Sequence, residues 1–257
     1  MKQYIVDAFT DRIFRGNQAA ICVMDYWIPD DLMMNIAIEN NFSETAFTVK
    51  TEGGYGLRWF TPGGEISLCG HATLAAAYVL FNYYEKDAEA IVFHTMSGDL
   101  FIGKRDNYVI MDFPAYHCNE VPVTEEMEKV MGCRPSEAYL DRDLLLVYED
   151  ESIVRSLNPD FERMKTLDGQ SVGVTAPGNQ YDCVSRFFAP KLKVNEDPVT
   201  GSVHCMIVPY WASRLKKSRI NAYQASERGG ELLCELRGER VIIAGKAALF
   251  AISDLYV

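Results

Sequence analysis

Glu44, His71, Asp197 and Cys69 are the side chains best suited to moving a proton, and each stands at a distinctive place in the sequence. Glu44 lies in the polar patch Asn40-Asn41-Phe42-Ser43-Glu44, which runs into the strand-like Thr45-Ala46-Phe47. A carboxylate at the mouth of a strand serves as a general base where water is partly excluded and as a solvated surface group otherwise. Alternation puts Glu44, Ala46 and Thr48 on one strand face and Thr45, Phe47 and Val49 on the other. Asp197, in Asn195-Glu196-Asp197-Pro198-Val199-Thr200-Gly201, stands just ahead of an apolar helical stretch, where capping and the helix dipole also favour an acid. His71 opens a second such stretch. An imidazole there either shuttles protons near neutral pH or packs with one nitrogen satisfied. His204, one turn into its helix, and His94, in a strand, read as packed side chains. Cys69 precedes Gly70 at a helix start, where the dipole lowers a thiol pKa; as a buried free cysteine it would be a small hydrophobe instead.

Two helices must position these groups. The stretches His71 to Tyr84 and Ser202 to Lys216 are apolar nearly all round, the pattern of a buried helix. They start at Gly70-His71-Ala72-Thr73 and Gly201-Ser202-Val203-His204. Unpaired N–H groups at such starts suit a carboxylate, and glycine lets a ligand approach the backbone; the same residues also serve as plain caps. The two starts are 131 residues apart, and Arg58-Trp59-Phe60-Thr61-Pro62 recurs as Arg186-Phe187-Phe188-Ala189-Pro190 at an offset of 128. Gly98, Leu100, Arg105, Val109 and Ile110 fall on Gly230, Leu232, Arg237, Val241 and Ile242 at an offset of 132.

A repeat of about half the chain predicts two related domains, over 1–115 and 116–257, with the last strand free to pair back with the first domain. Tyr4 to Phe9, Ala19 to Val23, Thr45 to Val49 and Leu57 to Phe60 are short β-branched or aromatic runs bounded by turn residues, hence strands. The expected fold is α+β: two pseudo-symmetric halves, each a curved, mostly antiparallel sheet or barrel around one central helix, with a cleft between them. Pro114 to about Thr124 reads as the crossing between halves.

Composition narrows the ligand. The chain has 257 residues, 48% of them hydrophobic, and a net charge of −11 from 25 Lys+Arg against 36 Asp+Glu. That balance, with no basic run longer than Lys216-Lys217, disfavours nucleic acid and leaves small molecules as expected partners. No Gly-x-Gly-x-x-Gly follows a strand, no P-loop is present, and no His/Cys/carboxylate group has metal-ligand spacing, so neither a cofactor nor a metal is expected. The seven cysteines, Cys22, Cys69, Cys118, Cys133, Cys183, Cys205 and Cys234, are scattered and never spaced as Cys-x-x-Cys. With no visible export signal or apolar span, they point to the reduced cytoplasm and no membrane.

Taken in order, Asp7-Ala8-Phe9-Thr10, Phe14-Arg15-Gly16-Asn17, Asn41-Phe42-Ser43-Glu44-Thr45-Ala46-Phe47, Arg58 to Pro62, Glu65-Ile66-Ser67-Leu68-Cys69-Gly70-His71-Ala72-Thr73, Ser185 to Pro190, Glu196 to Ser202 and Ser226-Glu227-Arg228-Gly229-Gly230 resemble the phenazine-biosynthesis PhzF-like isomerase family over nearly the whole chain. The resemblance implies the diaminopimelate-epimerase-like fold, an active site between the halves, cofactor-free chemistry and a homodimer. The best understood member isomerises a dihydro-hydroxyanthranilate by moving a proton. By this resemblance Glu44 is the acid/base, His71 and Asp197 assist proton handling and hold substrate, and Ser43, Gly70, Gly201 and Ser202 bind its carboxylate and polar groups. The substrate is then a small carboxylate or amino-acid-like molecule.

Two alternatives accompany this reading. Epimerases and racemases on the same fold use a cysteine before each central helix; Cys69 occupies the first position, but the second motif has none, leaving Cys69 with a carboxylate as an additional acid/base pair. The other is a non-catalytic small-molecule-binding protein.

Overall fold

The computed structural model describes all 257 residues. In chain order its elements are β1 (Lys2–Ala8), β2 (Asn17–Met24), α1 (Asp30–Asn40), β3 (Glu44–Thr51), β4 (Gly54–Thr61), β5 (Gly64–Ile66), α2 (Gly70–Val79), β6 (Ala90–Thr95), β7 (Gly98–Arg105), β8 (Tyr108–Pro114), β9 (Asn119–Val121), α3 (Glu125–Met131), β10 (Glu137–Leu140), β11 (Leu144–Val147), α4 (Glu151–Ser156), α5 (Phe161–Met164), β12 (Val172–Pro177), β13 (Cys183–Phe188), α6 (Gly201–Leu215), β14 (Arg219–Gln224), β15 (Gly230–Arg237), β16 (Arg240–Gly245) and β17 (Ala247–Asp254). The chain divides into two compact units, Met1–Asp112 with Ala244–Val257, and Phe113–Ile243. No helix is long and apolar enough to cross a membrane.

In the first unit β1 pairs antiparallel with both β2 and β17. The sheet continues through β2–β3 (parallel), β3–β4 (antiparallel), β4–β6 (parallel) and β6–β7 (antiparallel). Helix α2 packs against β1, β2, β3 and β17 and buries eight of its ten residues, among them Ala72, Ala75, Ala76 and Ala77. Small side chains at these positions let the strands close tightly round it. On the opposite face of the sheet, α1 lays Met33, Ile36 and Ala37 on Cys22, Phe47, Val49 and Phe60. Strand β3 is therefore covered on both sides, with Phe47 and Val49 toward α1 and Glu44 toward α2, as alternation requires.

The second unit repeats this order. β11–β12 are parallel, β12–β13 antiparallel, β13–β14 parallel and β14–β15 antiparallel. The central helix α6 packs on β14 and β15 and buries Val203 to Val208, Trp211 and Ala212. Helices α3, α4 and α5 contribute Met127, Val130, Val154 and Met164 to a separate core with Leu144, Leu146, Val172 and Phe188. In each unit a central helix enters between the third and fourth strands of the same five-strand pattern, which is the repeat predicted from the sequence. The segment expected to be a bare crossing contains β9, which pairs with β10 inside the second unit.

Pro209 interrupts α6 without breaking it. Lacking an N–H, it leaves the carbonyl of Cys205 without its intrahelical partner. The backbone N–H of Tyr116 donates to that carbonyl at 2.9 Å, so the freed acceptor anchors the segment that precedes β9.

Candidate active site

Strand β3 begins at Glu44 and α2 at Gly70, and their packing brings two predicted residues together. His71 Nε2 lies 3.0 Å from Glu44 Oε2, in surroundings that leave the imidazole almost wholly buried. Neither atom has any other hydrogen-bonding partner. The other ring nitrogen, Nδ1, is 3.1 Å from Asn17 Nδ2 and 3.5 Å from Cys69 Sγ. One imidazole thus links a carboxylate on one side to an amide and a thiol on the other. Ser43 immediately precedes Glu44 and is half-buried.

Asn17 reaches His71 because of the loop ahead of it. Phe9, Phe14 and Gly16 all take positive φ, and a Cβ on Gly16 would sit 2.1 Å from the carbonyl oxygen of Ala8. Only glycine fits there. The N–H of Phe14 donates to the buried Asp7 at 2.9 Å and closes the loop. Asn17 had a place in the family motif but no predicted role.

Burial pushes the Cys69 thiol up, and the Glu44 carboxylate pushes it further. The expected lowering by the helix dipole does not prevail, because Cys69 is removed from water and faces an anion. For His71, burial opposes the charged form, but the neighbouring Cys69 sulfur and Glu44 carboxylate outweigh it and hold its pKa well above the ordinary 6.5. With Cys69 kept as the thiol, Glu44 is the anion that favours an imidazolium.

Glu44, Cys69 and His71 each offer one donor atom within 4.8 Å of the others, the ligand types that zinc accepts. The two short contacts, however, use opposite nitrogens of His71, and one ion cannot take both. The arrangement suits passage of a proton through the ring better than chelation.

In the second unit, Asp197 accepts a hydrogen bond from the Thr200 hydroxyl. Buried Gln224 clamps the same turn: its amide donates to Asp197 O at 2.7 Å, and its carbonyl accepts from Thr200 N at 2.8 Å. Gly201 is the first residue of α6 and Ser202 the second. His204 is fully buried, with Nδ1 donating to Thr200 O at 2.7 Å. Burial lowers its pKa to about 4, and the bond to Thr200 opposes this only in part. It is a packed, neutral side chain, as expected. His94 is only partly packed: it sits half-buried on a hairpin, 2.8 Å from Asp99.

The amino ends of α2 and α6 share one property. Neither has a side-chain cap or an acid in its first turn. Helices α3, α4 and α5 are capped by Thr124, Asp150 and Asp160, and α1 starts with Asp30 and Asp31. The two central helices therefore keep uncompensated N–H groups and partial positive charge, the condition for holding an anion.

A family model described as phenazine biosynthesis-like protein matches residues 6–252. The chain belongs to the PhzF family. A Pseudomonas aeruginosa protein named as an uncharacterized isomerase is 50% identical over 247 residues, covering 96% of this chain and 95% of its own. The crystal structure of a PhzF-family protein from Enterococcus faecalis superposes with a TM-score of 0.98 at 51% identity, covering 100% of this chain and 99% of that one. A probable proline racemase from Agrobacterium radiobacter shares the fold at a TM-score of 0.66 and 10% identity, covering 100% of this chain and 93% of its own. The α+β, epimerase-like fold expected for a PhzF-family chain is thus the one found, and an isomerase kind of activity is what the named relatives support.

Proposed function

We propose that this PhzF-family chain is a cofactor-independent isomerase that moves a proton on a small carboxylate-bearing substrate, with Glu44 as general acid/base. The observation that carries the reading is the 3.0 Å approach of His71 Nε2 to a Glu44 oxygen, both atoms otherwise unpartnered. A carboxylate with no competing donor is available to a substrate proton, and the imidazole beside it stores or returns one. Glu44 takes the proton from one carbon. Glu44 itself, or the imidazolium of His71, delivers it to another. The electron pair left behind is delocalised into the conjugated carboxylate, an anion that an uncapped helix end suits, Gly70 with Ser43 in the first unit or Gly201 with Ser202 in the second. Asp197, fixed by Thr200 and Gln224, holds a polar group of the substrate.

The test is proton exchange in deuterium oxide over a panel of small carboxylates and aromatic amino acids, read by mass spectrometry. Wild type should incorporate deuterium into a turned-over ligand; Glu44→Gln should bind that ligand without labelling it. Turnover retained in Glu44→Gln overturns the assignment.

A second reading has one observation in its favour: Cys69 Sγ touches His71 Nδ1 at 3.5 Å. A Cys69/Glu44 pair could racemise an amino acid. Against it, the raised thiol pKa makes Cys69 a poor base, and the residue at the corresponding start of α6 is Thr200. Loss of racemisation in Cys69→Ser as well as in Glu44→Gln would favour this reading, and full activity in Cys69→Ser overturns it.

A further inference from the structure

We propose that Arg142 is a specificity-determining residue, pairing with a carboxylate of the ligand at the amino end of α6. The inference rests on the carboxylate reading above and adds the side chain that supplies a full positive charge to it. Arg142 lies in the Asp141-Arg142-Asp143 turn between β10 and β11. Its Nη2 donates to Ser202 Oγ at 3.1 Å, across sixty residues of sequence. Ser202 stands in the first turn of the uncapped helix α6. A guanidinium is thereby added where helix N–H groups already favour an anion.

Three contacts hold the guanidinium in place. Nε donates to Asp143 Oδ2 at 2.9 Å, and Nη2 bonds the same oxygen. The plane lies 5.5 Å over the ring of Tyr116. Tyr116 is fixed in turn by the Cys205 carbonyl that Pro209 leaves free. What remains is Nη1, which has no protein partner, on a side chain that is 38% exposed while Asp143 is 1% exposed. The exposed part of this ion pair is therefore a donor.

Asp143 marks the arrangement as built. Its second oxygen, Oδ1, is buried with no hydrogen-bond partner. Such an atom is costly, and the cost is understandable where the carboxylate's task is to orient a functional cation. Asp143 is then a positioning residue for Arg142. The two units also differ here: at the second position of its central helix the first carries His71, which handles a proton, and the second carries Ser202, which meets a fixed cation.

The test measures binding of benzoate and 2-aminobenzoate, each against its uncharged amide, to the full chain by equilibrium dialysis. Wild type should bind the acids and discriminate against the amides. Arg142→Met should weaken acid binding about 10- to 100-fold, the range expected for a lost charge-assisted hydrogen bond, and leave the amides unchanged. Arg142→Lys should fall between. Because Arg142→Met strands a buried Asp143, the double variant Arg142→Met/Asp143→Asn removes both charges and should show the same loss in a well-folded protein. Equal acid binding by wild type and the double variant overturns the role of Arg142 while leaving the carboxylate reading intact. Absence of any acid-over-amide preference in wild type overturns both.

Discussion

His71 and His204 are both buried in the first turn of equivalent helices, and their surroundings shift the two pKa values in opposite directions. His71 faces a carboxylate through Nε2 and has a raised pKa; His204 donates to a backbone carbonyl and has its pKa lowered to about 4. The residue of α2 that corresponds to His204 is Thr73, whose hydroxyl donates to Cys69 O at 2.5 Å. Donation back to the residue before the helix is thus kept in both units with different chemistry.

Opposite shifts give opposite pH dependences. A raised folded pKa means that folding takes up a proton, so the stability owed to His71 is fully present below about pH 6.5 and is lost as pH rises through the folded value. A lowered folded pKa means that folding expels a proton, so the contribution of His204 is present above about pH 6.5 and is lost as pH falls toward 4. Melting temperatures of wild type and His71→Gln should converge from pH 6 to pH 9. Those of wild type and His204→Gln should converge from pH 7 down to pH 4.5. A gap that stays constant over either series contradicts the corresponding shift.

Replacing Glu44 by Gln removes the proposed base while keeping the shape. Turnover should fall about 100- to 10,000-fold, the usual contribution of a positioned acid/base group, and His71 loses its anionic neighbour. The imidazole resonance of His71, followed by NMR, should titrate at lower pH in Glu44→Gln than in wild type. An unchanged titration would mean that the 3.0 Å contact carries no charge coupling.

The thiol of Cys69 should alkylate slowly. Burial and the Glu44 carboxylate both disfavour the thiolate, so at pH 7.5 iodoacetamide should label Cys69 far more slowly than it labels a free thiol in solution. Glu44→Gln should speed the labelling, because it removes the anion. Peptide mass spectrometry at Cys69 in both proteins decides this, and equal rates would show that burial alone protects the sulfur.

Arg58 and Arg186 brace the approaches to the two central helices in the same way. Each grips a glutamate with Nε and Nη2, Glu65 and Glu196 respectively, and each lies over a phenylalanine two residues on. Their remaining nitrogens differ. Arg58 Nη1 reaches the exposed Asp30, whereas Arg186 Nη1 donates to the carbonyls of Val154 and Leu157. Arg186→Met should therefore cost about 2–4 kcal/mol by urea unfolding, and Arg58→Met about 1–2 kcal/mol, since solvent screens the outer pair and only the inner change strands buried acceptors. The reverse order would show that the two braces are not energetically alike in the way their contacts indicate.

The pairing of Arg58 with Glu65 was not legible beforehand, but its consequence was. Arg-aromatic-Phe motifs 128 residues apart and helix starts 131 apart already marked a repeated unit, and both units show the same strand pairings around α2 and α6. Helix and strand follow from periodicity, a property of neighbours along the chain. That is why Ala72 to Val79 reads as a buried helix, and why Glu44 falls on the opposite face of β3 from Phe47, before any contact is known. The amino acid order also carried Glu44, Ser43 and His71 as motif residues.

What tertiary structure decided is the meeting of groups distant in sequence. Glu44 and His71 are 27 residues apart, and only the packing of α2 against β3 brings them within hydrogen-bonding reach. The dipole argument for Cys69 was sound locally and failed because burial and a neighbouring anion, both long-range properties, outweighed it. Arg142 was invisible for the same reason: Asp141-Arg142-Asp143 reads as an ordinary polar turn until folding seats it against Ser202. Local chemistry is written in local order, whereas protonation and recognition depend on which side chains the folded core excludes from water together.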